Sequence, residues 1–369
     1  MKLRNSKLAL FFTKGISLRN WEEIGVLDRE LKPYKKFAKY FDEIYLFTYG
    51  DKEDLKYKKI LPDNIKIFPK KLNLPPLLYS FLLPFLYRLE LRNVDIIKTN
   101  QMPGSWAAVV AKFLYRKKLV VRCGYEWLRN MELKREHKLK RLLAFILEFL
   151  AYKTADKIII TSHENRNFII ERFKISPKKI EVVPNYIDTN LFKPIKVKKE
   201  RRLIFIGRLE REKNLANLIK AVSKLDIKLV IFGNGSLKEE LEKLAKKLKS
   251  NVEFKGNIPN EKLPLELNKS EIFILPSLYE NCPKTLLEAM SCGLPCIGTN
   301  VPGIREIIKH KENGYLCGTD DKSIRKAIKE VLENKQLREK ISKNARKTIL
   351  ENFSLERILE NEIKVFEAL

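Results

Sequence analysis

The stretch IFILPSLYENCPKTLLEAMSCGLPCIGT, Ile272–Thr299, reads as one complete strand–helix–strand unit. Ile272–Leu275 is a short apolar run of the kind that forms a strand buried on both faces, and Cys296–Gly298 is a second. Between them Pro283 stands where the first residue of a helix is expected, since its missing N–H costs nothing there. The letters GLP then end the helix in a tight turn. Glu280 precedes the helix and Glu288 lies in its second turn, with seven residues between them. The N–H groups around Lys284, Thr285 and Leu286 have no acceptor inside a helix that starts there, so they are expected to bind an anion or a hydroxyl. Two carboxylates, one at the helix mouth and one about two turns along, can grip hydroxyls of one extended polar ligand. A helix with two exposed glutamates is the plainer reading of the same letters.

Outward from this unit the same alternation fills the chain of 369 residues. Strands are predicted at Lys7–Phe12, Glu43–Thr48, Ile65–Phe68, Asp95–Thr99, Leu119–Arg122, Lys157–Thr161 and Lys179–Val183. Helical patterns at Gly104–Tyr115, His137–Tyr152 and Glu164–Phe173 fall between them. After the polar, basic stretch VPNYIDTNLFKPIKVKKERR, strands follow at Leu203–Ile206, Leu229–Phe232, Val252–Phe254, Ile272–Leu275 and Cys296–Gly298. Three helical segments close the chain from Asp320 to Leu369. The fold class is therefore α/β, with two βα domains over 1–185 and 186–350 and a terminal helix over 351–369 that is expected to pack back on the first. Ligands of such domains sit at the carboxyl ends of the strands, and a two-domain chain is expected to hold its ligand in the cleft between them.

Two further motifs lie at strand ends. GRLEREKN, Gly207–Asn214, follows Leu203–Ile206: the glycine permits close backbone approach, and Arg208 and Lys213 suit a diphosphate as fork and point charge. A solvated basic loop with Glu210 and Glu212 as local partners is the competing reading. FGNGS, Phe232–Ser236, is half of a dinucleotide fingerprint without its third glycine, and a tight strand-to-helix turn is its plainer reading.

Composition narrows the classes. A chain that is 44% hydrophobic and 33% charged has material for packed cores, and five cysteines without a two-residue spacing suit a reduced protein rather than a disulfide framework or zinc knuckle. Lys+Arg 74 against Asp+Glu 46 favours anionic partners, and residues 1–185 carry +18 of the total +28. No aromatic–basic interleaving or reading helix points to nucleic acid.

Taken in order, these letters resemble a known family. VPNYID (183–188), GRLEREKN (207–214), FGNGS (232–236), FKGNIP (254–259) and the pair Glu280 and Glu288 follow the sequence and separations of a retaining glycosyltransferase of family 4, the glycosyl transferases group 1. The resemblance implies the GT-B fold, two Rossmann-like domains facing each other across a cleft, the first binding the acceptor and the second a nucleotide-sugar. It implies that Arg208 and Lys213 hold the donor diphosphate, with Gly207 in the same loop, and that Glu288 binds the ribose hydroxyls. Glu280, with the backbone of Cys282, Pro283, Lys284, Thr285 and Leu286, is matched to the group that holds the transferred sugar. The main chain at Ile258 is matched to the base contact, and Gly15 to the glycine loop after the first strand. The chain departs from the family pattern at Gly124, where many members carry histidine, and in FTKGISLRN, which has one glycine where two adjacent ones are common. His137, His163 and His310 read as surface or helix-start residues.

The implied activity is transfer of a sugar from a UDP- or GDP-linked donor to a hydroxyl of a glycan or lipid-linked acceptor with retained anomeric configuration. Arg208, Lys213 and a helix N-terminus can take up the charge of the departing diphosphate, so neither a metal ion nor a cofactor is expected. A nucleotide-sugar epimerase and a non-catalytic nucleotide-sugar-binding subunit are the alternatives. The start MKLRNSKLALFF runs into a strand with no signal-peptide cleavage site, and the longest uncharged run, Leu72–Tyr87, is too short to span a bilayer. A cytoplasmic protein is expected, peripheral on the membrane. Leu74, Leu77, Leu78, Phe81, Leu82 and Phe85 recur at helical spacing beside Arg88, Arg92 and Arg116–Lys118, as a face that enters an anionic surface shallowly. Packing of that face on the sheet is the competing reading, with Tyr79, Leu83 and Leu86 then off the packed face.

Overall fold

The structure, a computed structural model, describes Leu3, Asn5–Leu133 and Glu136–Leu369. The chain divides into two compact units, Met1–Val183 with Leu359–Leu369, and Pro184–Ile358. Each is a parallel sheet wrapped by helices, the α/β class expected.

The first unit holds β1 (Lys7–Phe11), β2 (Glu43–Phe47), β3 (Ile65–Phe68), β4 (Ile96–Thr99), β5 (Lys118–Cys123), β6 (Lys157–Ile160) and β7 (Ile180–Val182), in the order β3-β2-β1-β4-β5-β6-β7. The second holds β8 (Arg202–Ile206), β9 (Lys228–Phe232), β10 (Val252–Gly256), β11 (Ile272–Leu275), β12 (Cys296–Thr299) and β13 (Tyr315–Cys317), in the order β10-β9-β8-β11-β12-β13. The apolar runs follow from this topology: helices on both faces leave no wet side, so Leu203, Ile204 and Phe205 of β8 and all of β11 are buried. The strand β13 was not foreseen. It is defined by pairing to β12 at the sheet edge.

Parallel crossovers are right-handed, so the direction of each step fixes the face its helix covers. Steps from β1 to β3 run one way. Steps from β3 to β7 run the other, which sets helices Pro76–Leu86, Ser105–Tyr115 and Lys138–Thr154 side by side on one face. On the opposite face lies Leu27–Phe37, joined by the end of the closing helix Leu355–Glu367: Phe366 meets Phe37 and Phe41 edge-on, with ring centroids 5.8 and 5.5 Å apart.

The stretch read as a polar crossing is built into the second unit. Arg346 donates to the carbonyls of Phe192 (2.7 Å), Ser291 (2.7 Å) and Thr189 (3.1 Å), and Ile187 N donates to Phe353 O (2.8 Å). The closing helix begins in the second unit and ends in the first. Histidines serve as helix starts and loop fasteners: His137 Nδ1 accepts from Leu139 N (3.3 Å), and His310 Nδ1 accepts from Leu316 N (3.0 Å).

Lys98 of β4, buried beside the Tyr34 and Phe37 rings, forms an ion pair with Glu362 of the closing helix, itself buried. Burial pushes the Lys98 ammonium down from its ordinary pKa while Glu362 pulls it back up. Removing one member of a buried pair strands the other's charge. Glu362→Ala is expected to cost about 3–5 kcal/mol, and the double variant Lys98→Met/Glu362→Leu much less. Urea unfolding of the three proteins checks this; equal losses in single and double variants would contradict it.

Candidate active site

In the second unit the strand order reverses between β8 and β11, so the loops leaving these neighbours diverge and open a crevice at the sheet's carboxyl edge. GRLEREKN is the loop after β8, and PSLYENCP is the loop after β11. The two motifs singled out from the sequence therefore meet at the switch point.

Three loops lock together here. Gly207 N donates to Phe232 O (3.0 Å) and Leu209 N to Asn234 O (2.9 Å). A Cβ on Gly233, at φ +132°, would lie 1.9 Å from Gly207 O, and one on Gly235 would lie 2.4 Å from Leu209 O. The glycines of FGNGS thus permit contact with the loop after β8. Ser236 adds two bonds to Glu210, N at 3.0 Å and Oγ at 2.8 Å. Asn214, in the left-handed region at φ 56°, donates from Nδ2 to Pro276 O (3.0 Å) and Thr319 O (2.8 Å), while Leu278 N donates to Glu212 O (2.8 Å).

That frame brings Lys213 against Glu280. Their side chains, 14% and 10% exposed, form an ion pair, and Ser277 Oγ donates to the same Glu280 oxygen at 2.7 Å. Arg208 is not brought into this pair. It is 69% exposed and bound to Glu212 at 3.1 Å. Pro283 is the residue before the helix rather than its first member: the helix is Lys284–Ser291, and no side chain caps it. Its position is fixed from two sides. Asn185 Nδ2 donates to Cys282 O (2.8 Å), and Gly303, at φ +79°, crosses so close that a Cβ would fall 2.3 Å from the carbonyl oxygens of Glu280 and Asn281. Glu288 is buried, with Asn260 Nδ2 3.4 Å from its Oε1, and Ile258 packs partly buried against the core nearby in sequence. Neither glutamate is the exposed helix residue of the plainer reading. Asn185, Asn214, Asn260 and Gly303 were not singled out from sequence as individual residues. Asn185 and Asn214 lay inside quoted motifs, whereas Gly303 signalled itself only as Pro-Gly after a strand.

The first unit repeats the geometry at β1 and β4. Gly15, at φ +82°, lies in the loop after β1. Lys14 N donates to Pro103 O (2.9 Å), and a Cβ on Gly104 would lie 3.1 Å from Lys14 N. At Gly124, where the chain departs from the family pattern, the neighbour is the side chain of Gln101. The Gly124 N–H donates to Gln101 Oε1 (2.8 Å), and a Cβ there would sit 2.9 Å from Gln101 Nε2. Just beyond, the buried Glu148 accepts from Trp127 N (2.7 Å) and Leu128 N (3.3 Å). Burial, helped by Glu126 and Glu132, pushes its carboxyl up to about 8 against the two N–H donors. Among the described residues no group of three or more His, Cys, Asp or Glu is arranged to hold a metal ion.

Comparison with known proteins identifies the family. Residues 187–348 match the family described as glycosyl transferases group 1, and residues 35–191 match glycosyltransferase family 4. An N-acetylgalactosamine-N,N'-diacetylbacillosaminyl-diphospho-undecaprenol 4-alpha-N-acetylgalactosaminyltransferase of Campylobacter jejuni is 31% identical over 311 residues, covering 78% of this chain and 82% of that protein. An uncharacterized glycosyltransferase of Methanocaldococcus jannaschii is 29% identical over 242 residues, 60% of this chain and 62% of the relative, so the match spans less than two thirds of that protein. Among solved structures, Anabaena HepE in complex with UDP and glucose superposes with a TM-score of 0.80 at 17% identity, over 99% of this chain and 100% of that one, a likeness of fold.

The raised Glu148 carboxyl sets a pH dependence. Between its ordinary 4.5 and about 8 the folded chain keeps a proton that the unfolded chain has lost, so this group's contribution to stability falls as pH rises through that window. Glu148→Gln keeps an acceptor oxygen and removes the titration. Its stability should gain on the wild type from pH 4.5 toward 8 and then run parallel. A stability difference that does not change with pH would contradict the assignment.

Proposed function

We propose that this chain, which belongs to the group 1 (family 4) glycosyltransferases, moves a sugar from a nucleotide diphosphate donor to an acceptor hydroxyl with retained anomeric configuration. The observation that carries the reading is the Lys213–Glu280 pair at the β8/β11 switch point, beside an uncapped helix start. An ammonium, a carboxylate and outward N–H groups within one crevice suit a ligand that presents phosphate oxygens and hydroxyls together.

In this reading the donor diphosphate lies over Gly207 and the N–H groups of Thr285 and Leu286. Lys213 and Arg208 neutralise it, Arg208 swinging from Glu212, which its exposure permits. Negative charge grows on the terminal phosphate as the sugar–oxygen bond breaks, and fixed cations and N–H groups that already face it stabilise the transition state without reorganising. No metal ion or cofactor enters this scheme. Glu288, held by Asn260, takes the ribose hydroxyls, the main chain at Ile258 meets the base, and Glu280 with the backbone from Cys282 to Leu286 holds the sugar. The first unit, around Gly15, takes the acceptor. A lipid-linked acceptor at the cytoplasmic membrane face is the favoured class, supported by relatives named for diphospho-undecaprenol substrates.

Lys213→Ala should lower turnover on the order of 10²–10³-fold, the usual effect of losing one charge-stabilising contact, with an unchanged fold by circular dichroism. Near-wild-type turnover would sink the diphosphate assignment. The glutamates should fail differently. Glu288→Ala weakens calorimetric binding of UDP or GDP, whereas Glu280→Gln frees Lys213 from its counter-charge, keeps nucleotide binding and loses discrimination among donor sugars. Equal losses of nucleotide binding in both would contradict the division of roles.

A further inference from the structure

We infer that the outer surface of three neighbouring helices in the first unit is one docking face for an anionic phospholipid bilayer. Helix Pro76–Leu86 exposes Leu77, Leu78, Phe81, Leu82 and Phe85, while Tyr79, Ser80 and Leu83 turn inward. The sequence stripe is therefore the outward face, and two of the residues set off it, Tyr79 and Leu83, form the packed one. The next helix, Ser105–Tyr115, is fastened to the first by Trp106 Nε1 donating to Ser80 Oγ (2.9 Å) and Tyr115 OH donating to Pro84 O (2.8 Å). It ends on exposed Phe113 and Leu114. Helix Lys138–Thr154 packs against it in turn and exposes Leu139, Leu142, Leu143, Ile146 and Leu150, a stripe at helical spacing that composition alone did not single out.

These side chains do not reflect a generally apolar surface. The whole second unit exposes, among its large hydrophobic residues, Ile195, Leu265, Leu278 and Leu350. A contiguous apolar face of this kind marks an interaction site.

Charge selects the occupant. From Pro75 to Arg92, Ser105 to Lys118 and Lys138 to Thr154 the acidic residues are Glu90 and Glu148, and Glu148 is buried. The exposed basic side chains around the stripes include Arg88, Arg92, Arg116, Lys138, Lys140 and Lys153. A two-fold dimer through this face would set the same basic rim against itself. An anionic bilayer instead attracts it, with each Lys or Arg near the surface strengthening binding by about fivefold. Among the described residues no helix is long and apolar enough to cross a membrane, so contact would be shallow, along the helix sides. The purpose of docking rests on the proposed transfer to a lipid-linked acceptor; the docking itself is read without substrates.

The experiment is flotation of the full chain with phosphatidylcholine vesicles, with and without phosphatidylglycerol, at low and high salt. Binding should need phosphatidylglycerol and fall at high salt. The variants Leu77→Glu/Leu78→Glu, Phe113→Glu/Leu114→Glu and Leu142→Glu/Ile146→Glu should each lower partitioning on the order of tenfold or more with an unchanged circular-dichroism spectrum. Retained transfer to a short-chain, water-soluble acceptor would support the docking role in the same variants. A wild type that ignores anionic vesicles at low salt would overturn the inference, as would a pair of glutamates without effect on binding. Concentration-dependent dimers abolished by these substitutions, without vesicle binding, would overturn it in favour of a second copy. Vesicle binding without sugar transfer to any acceptor would sink the functional reading and leave the docking face standing.

Discussion

Close approach of backbone to backbone at the β8/β11 edge is the constraint on which the proposed site depends. Gly233 and Gly235 press on the loop after β8, and Gly303 presses on the loop after β11. With those loops seated, Asn214 ties one to the carbonyl of Pro276, and Lys213 has little choice but to face Glu280. A poorly hydrated ion pair is weak evidence for stability, because desolvation offsets much of the attraction. Its value here is geometric. Two opposite charges hold each other in the crevice, and the proposed ligand carries both anionic oxygens and hydroxyls to meet them.

Much of this was legible in the sequence, for identifiable reasons. Strands buried on both faces give uninterrupted apolar runs, so β8 and β11 were visible as letters, and the motifs that follow them fell on the switch point without further assumption. Arg208 was legible as a cation, and its bond to Glu212 is the local pairing that the competing reading of the loop offered, since a side chain that extended answers to local partners. Pro283 was legible as a helix start to within one residue, because a proline suits both the last residue before a helix and the first one in it. The fasteners were hidden for a different reason. Asn214 donates to carbonyls 62 and 105 residues away, and no local pattern encodes a bond of that span. Gly124 is similar: its N–H donates to Gln101, a residue on another strand's loop.

The two units carry different physics on a common plan. The second surrounds its crevice with fixed donors and paired charges and keeps its outer surface polar. The first puts glycine turns at the matching sheet edge, buries a carboxylate beneath the Trp127 turn, and leaves a broad apolar, basic outer face. Such a division is consistent with the proposed transfer from a dissolved donor to a lipid-linked acceptor. The closing helix has residues in both units, beginning beside Ile187 and ending against Phe37.

The central claim, that a nucleotide diphosphate lies across the β8/β11 switch point, is tested most directly by backbone hydrogen exchange with and without saturating UDP or GDP. The account predicts slowed exchange in the peptides covering Gly207–Asn214 and Cys282–Leu286, with the N–H groups of Thr285 and Leu286 among the most protected. Protection confined to the loops after β1 and β4, or no protection by either nucleotide, would contradict it.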